Sequence, residues 1–237
     1  MHVFVVDLKD LFEQNANPSA AGPMAAYLRN QFASLGIKTP QNVVLQNKFY
    51  SEHALPELPE LDPILRELWS LPEREFQYVG LGLLGKFQDR LPPEFIETLE
   101  YLLVTKSWWD TVDSISGGVL GIHFRRYPEV RAKTLARWRK SENFWLRRAT
   151  ILFQLGYKKD TDFPLLCDII RDNLGSKEFF INKAIGWALR QYSRVDAQAV
   201  RAFVAQTDLQ PLSAREALKW LYRRAARAEL IEEAALP

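Results

Sequence analysis

Aromatic and charged residues recur along this chain at intervals of 35 or 36. Trp109, Trp145 and Phe180 are separated by steps of 36 and 35, Asp113, Arg148 and Lys183 by 35 and 35, and Tyr157 and Tyr192 by 35. A period of that length matches a helix pair with its turns, a unit too small to bury its apolar face alone, so successive units must stack. The expected fold class is all-α: a curved solenoid of HEAT-like helical repeats. Hydrophobic residues make up 47% of the 237, enough to fill a core between such layers. No low-complexity linker interrupts the chain, so residues 1–237 are read as a single domain.

Local signals agree with that class. Residues 2–15 and 22–35 have amphipathic helical spacing, punctuated by Asn17-Pro18 and Gly22-Pro23. Thr39-Pro40 is a cap and first-turn pair for a helix running to about His53. A proline-broken loop follows, and Asp62-Pro63 starts another helix. Further helices are expected over 92–104, 107–126, 128–140, 143–157, 162–173, 177–192, 196–205 and 213–227. Gly80, Gly82 and Gly85 spell the dinucleotide pattern G-x-G-x-x-G. That site needs a strand before it and a parallel sheet around it, which this sequence does not supply, so the glycines are read as close helix packing.

A single cysteine, Cys167, excludes a disulfide framework, and His2, His53 and His123 are too scattered for a metal site. The short apolar run Val3–Val6 is followed at once by Asp7 and Lys9, too brief for a signal peptide or a span, so a soluble cytoplasmic protein is expected. Net charge is only +2, but its distribution is lopsided. Residues 1–120 hold 9 Lys and Arg against 16 Asp and Glu, a balance of −7, and residues 121–237 hold 22 against 13, a balance of +9. A basic half points to a polyanion.

Within the run from Lys106 to Asp113, a helix opening at Ser107 puts Trp109 and Asp113 four residues apart on one face. The plain alternative is a core indole and a solvated charge. In stacked repeats, equivalent registers become neighbours, so Asp113, Arg148 and Lys183 should form a row, with Trp187 one turn beyond Lys183. The expected surface is a basic groove holding two indoles and one carboxylate. Cations suit a phosphate backbone, whereas the carboxylate suits a cationic ligand. Purines alkylated at ring nitrogens are such cations, and cleaving their glycosidic bond passes positive charge to the sugar, where a carboxylate stabilises it.

These residues also carry a resemblance. The runs Lys106–Ser114, Ser176–Arg190 and Leu68–Phe76 resemble the AlkD family of bacterial alkylpurine DNA glycosylases, over nearly the whole chain from Met1 to Ala217. The resemblance implies a HEAT-like fold that excises 3- and 7-alkylated purines from duplex DNA without cofactor or metal; a monofunctional enzyme is expected because no lysine is singled out as a Schiff-base nucleophile, Lys183 being as well explained by phosphate contact. Carried onto this sequence, Asp113 is the catalytic carboxylate, Trp109 and Trp187 are aromatic walls, and Arg148 and Arg190 contact DNA. Tyr27, Lys38 and Lys183 complete the DNA-contacting set. The sequence departs from the family pattern at Gln41-Asn42-Val43, where basic residues are usual, at Gly156, where lysine is common, and at Lys38, which replaces a polar side chain. A monomer without membrane contact is expected. Two rivals are a non-catalytic HEAT-like module that binds damaged or branched DNA, and a scaffold for acidic peptides.

Overall fold

The computed structural model describes residues 1–234, with side chains described through Arg224 and at Ala226. It is all-α, as the repeat period predicts; among the described residues the only β feature is an isolated bridge between Ala33 and Glu73. None of the described helices is long and apolar enough to cross a membrane. The chain divides into two compact units, Met1–Thr111 and Val112–Pro237.

The first unit contains α1 (Val3–Gln14), α2 (Pro18–Tyr27), α3 (Thr39–Glu52), α4 (Leu61–Ser70), α5 (Arg74–Phe87) and α6 (Ile96–Val104). Helix α1 packs on α3 and α4, both of which pack on α5, and α4 also meets α6. Leu8, Phe12, Leu65, Leu68, Trp69, Phe76 and Leu83 form a fully buried core. Each such side chain contributes about 1.5–3 kcal/mol by leaving water. Trp69 gives up nothing for its burial, because its indole N–H donates to the Leu102 carbonyl at 3.2 Å.

The helix expected over 22–35 is instead α2, which ends at Tyr27. The chain then turns through Arg29 and Asn30, both left-handed at φ 56° and 55°. The cause is tertiary. Buried Glu75, on α5, accepts the backbone N–H groups of Leu35 (3.1 Å), Gly36 (3.0 Å) and Ile37 (3.1 Å) and the Ser34 hydroxyl (2.7 Å). Continuing the helix would forfeit four charge-assisted bonds and leave a buried carboxylate unsatisfied. The glycine motif lies inside α5, not after a strand. A Cβ on Gly80 would come within 2.6 Å of the Trp69 ring, and one on Gly82 within 2.1 Å of Gln46, so two of the three glycines serve close packing; Gly85 has open space.

Helix α7 (Trp109–Ile115) carries the chain from the first unit into the second. The second unit continues with α8 (Gly121–Arg126), α9 (Pro128–Trp138), α10 (Phe144–Leu152), α11 (Phe163–Arg171), α12 (Phe179–Tyr192), α13 (Ala197–Gln206) and α14 (Pro211–Ala234). Helix α10 stacks on α12 and α12 on α14, with α9 and α11 packed on α10 and α13 on both α12 and α14. Side-chain caps begin α10, α11 and α13: Asn143 accepts from the Trp145 N–H, Asp162 from Leu165 and Asp196 from Ala199. A cap of this kind is worth about 1 kcal/mol.

The single helix expected over 107–126 is three pieces. Ser107 is not its cap; its hydroxyl donates backward to the Leu103 carbonyl at 2.6 Å, and the helix opens at Trp109. Between α7 and α8 the backbone widens into a π-helical stretch, Ser116–Leu120, with Gly118 at φ −104°, ψ −108°. Adjacent glycines make that distortion accessible.

Bonds between layers recur at the sequence period. Trp69 reaches Leu102, Thr98 reaches Asp62, Tyr157 reaches the Gly121 carbonyl and Arg139 reaches Asp172, spanning 33, 36, 36 and 33 residues. The period seen in the sequence is the chain length between stacked neighbours within each unit.

Candidate functional site

In the second unit, the Asp113 carboxylate is held by its expected neighbour in the row. Arg148, on α10, donates from Nε to Asp113 Oδ1 at 2.7 Å and from Nη2 to Oδ2 at 2.8 Å, a two-pronged pair. Its remaining nitrogen, Nη1, donates to the Phe180 carbonyl. The Arg148 side chain is 3% exposed and that of Asp113 14%. Arg148 is buried with all three nitrogens engaged, and the fork fixes the plane of the Asp113 carboxylate.

The expected row of Asp113, Arg148 and Lys183 joins at its first two members only. Lys183, on α12, turns to Glu216 of α14, its ammonium 3.0 Å from Oε1. Arg190, two turns on, donates from Nη1 to Glu216 Oε2, and Lys219 approaches the same carboxylate at 3.5 Å. Burial works against the charge on Glu216, but the Lys183 hydrogen bond and the charges of Lys183, Lys219 and Arg190 outweigh it and hold the carboxyl down at about 2. Trp187 lies between Lys183 and Arg190 on α12, half-buried.

In the first unit, Trp109 meets Tyr27 edge to face, ring centroids 5.7 Å apart. Tyr27 is 72% exposed and Lys38 is exposed. Both line a 560 Å³ cleft with Met24, Phe32, Arg74 and Tyr78. Below it lies a second two-pronged pair: Arg74 donates to Asp110 at 3.0 and 2.6 Å, and also to the Lys106 carbonyl and the Thr111 hydroxyl. The Tyr78 hydroxyl adds a bond to Asp110 at 2.7 Å. Burial and the Asp110 charge push that phenol well above its ordinary range. Arg74 is 1% exposed and Asp110 9%.

One family departure, at Asn42, has a local explanation, and the one at Gly156 has none. Asn42 is buried and accepts from Gln46 at 2.6 Å, an interior polar contact rather than a place for a solvated cation. A Cβ at Gly156 would make only ordinary contact, 3.5 Å from the Gly117 carbonyl, so the lysine common there is not excluded by space.

Sequence reasoning missed Glu216, Lys219, Arg74 and Asp110. The signal was present: Arg74 to Asp110 spans 36 residues and Lys183 to Glu216 spans 33, close to the 35 that join Asp113 to Arg148.

Stacked helix pairs, among them layers that carry guanidinium-held carboxylates and a cluster of cations, define an all-α repeat protein. The sequence pattern of the DNA alkylation repair enzymes matches residues 8–221, and the chain belongs to that family. Among solved structures it is similar to a protein from Enterococcus faecalis described as a predicted DNA alkylation repair enzyme: 33% identity, 87% of this chain and 96% of that one covered, TM-score 0.80. No curated protein matches it. The family supports a role in DNA alkylation repair, with DNA as the partner.

Proposed function

We propose that the protein is a monofunctional DNA glycosylase that hydrolyses the N-glycosidic bond of cationic N3- and N7-alkylated purines in duplex DNA. The observation that carries this reading is the Asp113 carboxylate, partly exposed and locked by both prongs of Arg148. Departure of a positively charged purine leaves an electron-poor sugar, and a pre-oriented carboxylate stabilises that charge without reorganising. Asp113 also offers an acceptor for the attacking water's proton as the water oxygen bonds to the sugar carbon. The base leaves as a neutral molecule, so no general acid is needed. In this reading Asp113 is the catalytic residue and Arg148 its positioning residue. Trp109, one turn before Asp113 on α7, and Trp187 are aromatic surfaces that exclude water and favour a cation. Tyr27, Lys38, Lys183 and Arg190 are the DNA contacts, and the protein acts as a monomer.

The buried pair Arg74–Asp110 favours a second reading, because a fork of the same geometry stands where no catalytic role is assigned. A non-catalytic module that binds damaged DNA would keep both pairs. Incubating purified protein with duplex containing 7-methylguanine or 3-methyladenine separates the two: the first reading requires free methylated base and the second forbids it. Uncharged uracil and hypoxanthine should not be released, since each needs a protonating group on the base side.

A further inference from the structure

Glu216 is nearly buried at the closest approach of α12 and α14. A Cβ on Gly186 would lie 2.5 Å from the Glu216 Cβ and 2.9 Å from the Ser213 carbonyl, and the Ser213 hydroxyl donates to the Asn182 carbonyl at 2.9 Å. The two helices are thus locked side by side, and the carboxylate between them has three cations around it: Lys183 and Arg190 from α12 and Lys219 from α14. One negative charge against three positive ones leaves the cluster at +2. Each cation uses a fraction of its donors on Glu216, an ammonium having three and a guanidinium five. The rest face outward, since the side chains of Lys183, Arg190 and Lys219 are 39%, 24% and 43% exposed. Without the acid, three like charges this close would repel one another and splay into water.

We propose that Glu216 is a positioning residue that gathers Lys183, Arg190 and Lys219 into one seat for a backbone phosphate of duplex DNA, and that Lys219 is a member of that seat. The inference rests on duplex DNA being the substrate. It assigns an acid a favourable part in holding a polyanion: the phosphate meets donors already assembled, and the ordering cost is met on folding.

The test is equilibrium binding of the full chain to undamaged duplex across a salt series, for wild type, E216Q, K219A and the double variant. E216Q adds a net positive charge, so if Glu216 merely opposed the DNA, E216Q would bind more tightly; that result overturns the proposal. The expected result is the opposite sign, binding about 3–10-fold weaker, with a log–log salt slope shallower by about 0.9, the value of one phosphate contact. K219A should weaken binding about threefold, and the double variant should be no more than about twofold weaker than E216Q, because the two changes remove one seat. Wild-type affinity in K219A also overturns the proposal. Thermal unfolding checks the fold; if E216Q does not fold, K219A and the charge-keeping E216D decide, the latter retaining most of the affinity. Base release from alkylated duplex, measured on the same preparations, keeps the two readings apart. The binding pattern without base release leaves the seat and removes the glycosylase. Base release with tighter E216Q binding does the reverse.

Discussion

Helix α7 carries two acids three residues apart, and each is held by an arginine fork. Asp110 and Arg74 lie in the first unit, Asp113 and Arg148 in the second. The forks are nearly identical in length, but their surroundings are not. Asp110 has every direction filled, by Arg74, by the Tyr78 hydroxyl and by its own contact to the Thr111 N–H at 2.9 Å, and it is 9% exposed. Asp113 is held by both prongs of Arg148 and its side chain is 14% exposed. The first pair closes a polar network; the second leaves a carboxylate oriented and reachable. The two pairs thus differ in how far the held carboxylate reaches solvent.

Removing Arg74 should have the largest effect. Arg74→Ala strands Asp110 in the interior and should cost about 3–5 kcal/mol of stability, read from denaturant unfolding. Next comes Asp113→Asn, which should slow single-turnover excision by about 100–1000-fold, the scale for losing one oriented electrostatic group. The amide would also turn an N–H toward Arg148, so some stability is lost, and both measurements belong below the melting range. Duplex affinity should be retained. If Asp113→Asn excises like wild type while unfolding as easily as Arg74→Ala, the two pairs are equivalent and the catalytic assignment falls.

Arg148→Lys sharpens the contrast. A point charge cannot supply two parallel bonds, so excision should fall by about tenfold through loss of orientation. Because Arg148 is buried with its nitrogens engaged, the salt dependence of duplex binding should not change; a shallower slope would return Arg148 to the DNA interface. Trp187→Ala should reduce excision with a stability loss well under the about 3–5 kcal/mol of a core tryptophan. A loss of that size would make Trp187 core packing.

The smallest effect concerns acid. Glu216 has a folded value of about 2, below the ordinary carboxyl value of 4.5. Its contribution is therefore complete above about pH 4.5 and is lost as pH falls toward 2. E216Q should flatten that part of the stability curve, so that the deficit it shows at pH 6–8 shrinks as pH falls toward 2. Denaturation midpoints for both proteins across pH 2–5 provide the check.

The sequence by itself determined the helical class and the repeat, because apolar spacing and a 35-residue period are properties of the chain that any stacked arrangement must obey. It also determined that Asp113 and Arg148 belong together, since equal registers on adjacent layers meet. What it could not decide were contacts that depend on which atoms face which. Lys183 shares the register of Arg148, yet it turns to Glu216, because the close approach of α12 and α14 puts an acid within 3.0 Å of it. The segment after Tyr27 has helical spacing, yet a carboxylate 40 residues away captures its backbone N–H groups and holds it open. Periodicity is written one residue at a time and survives in the sequence; the choice of partner for a buried charge is made by desolvation, which exists only once the chain has closed around it.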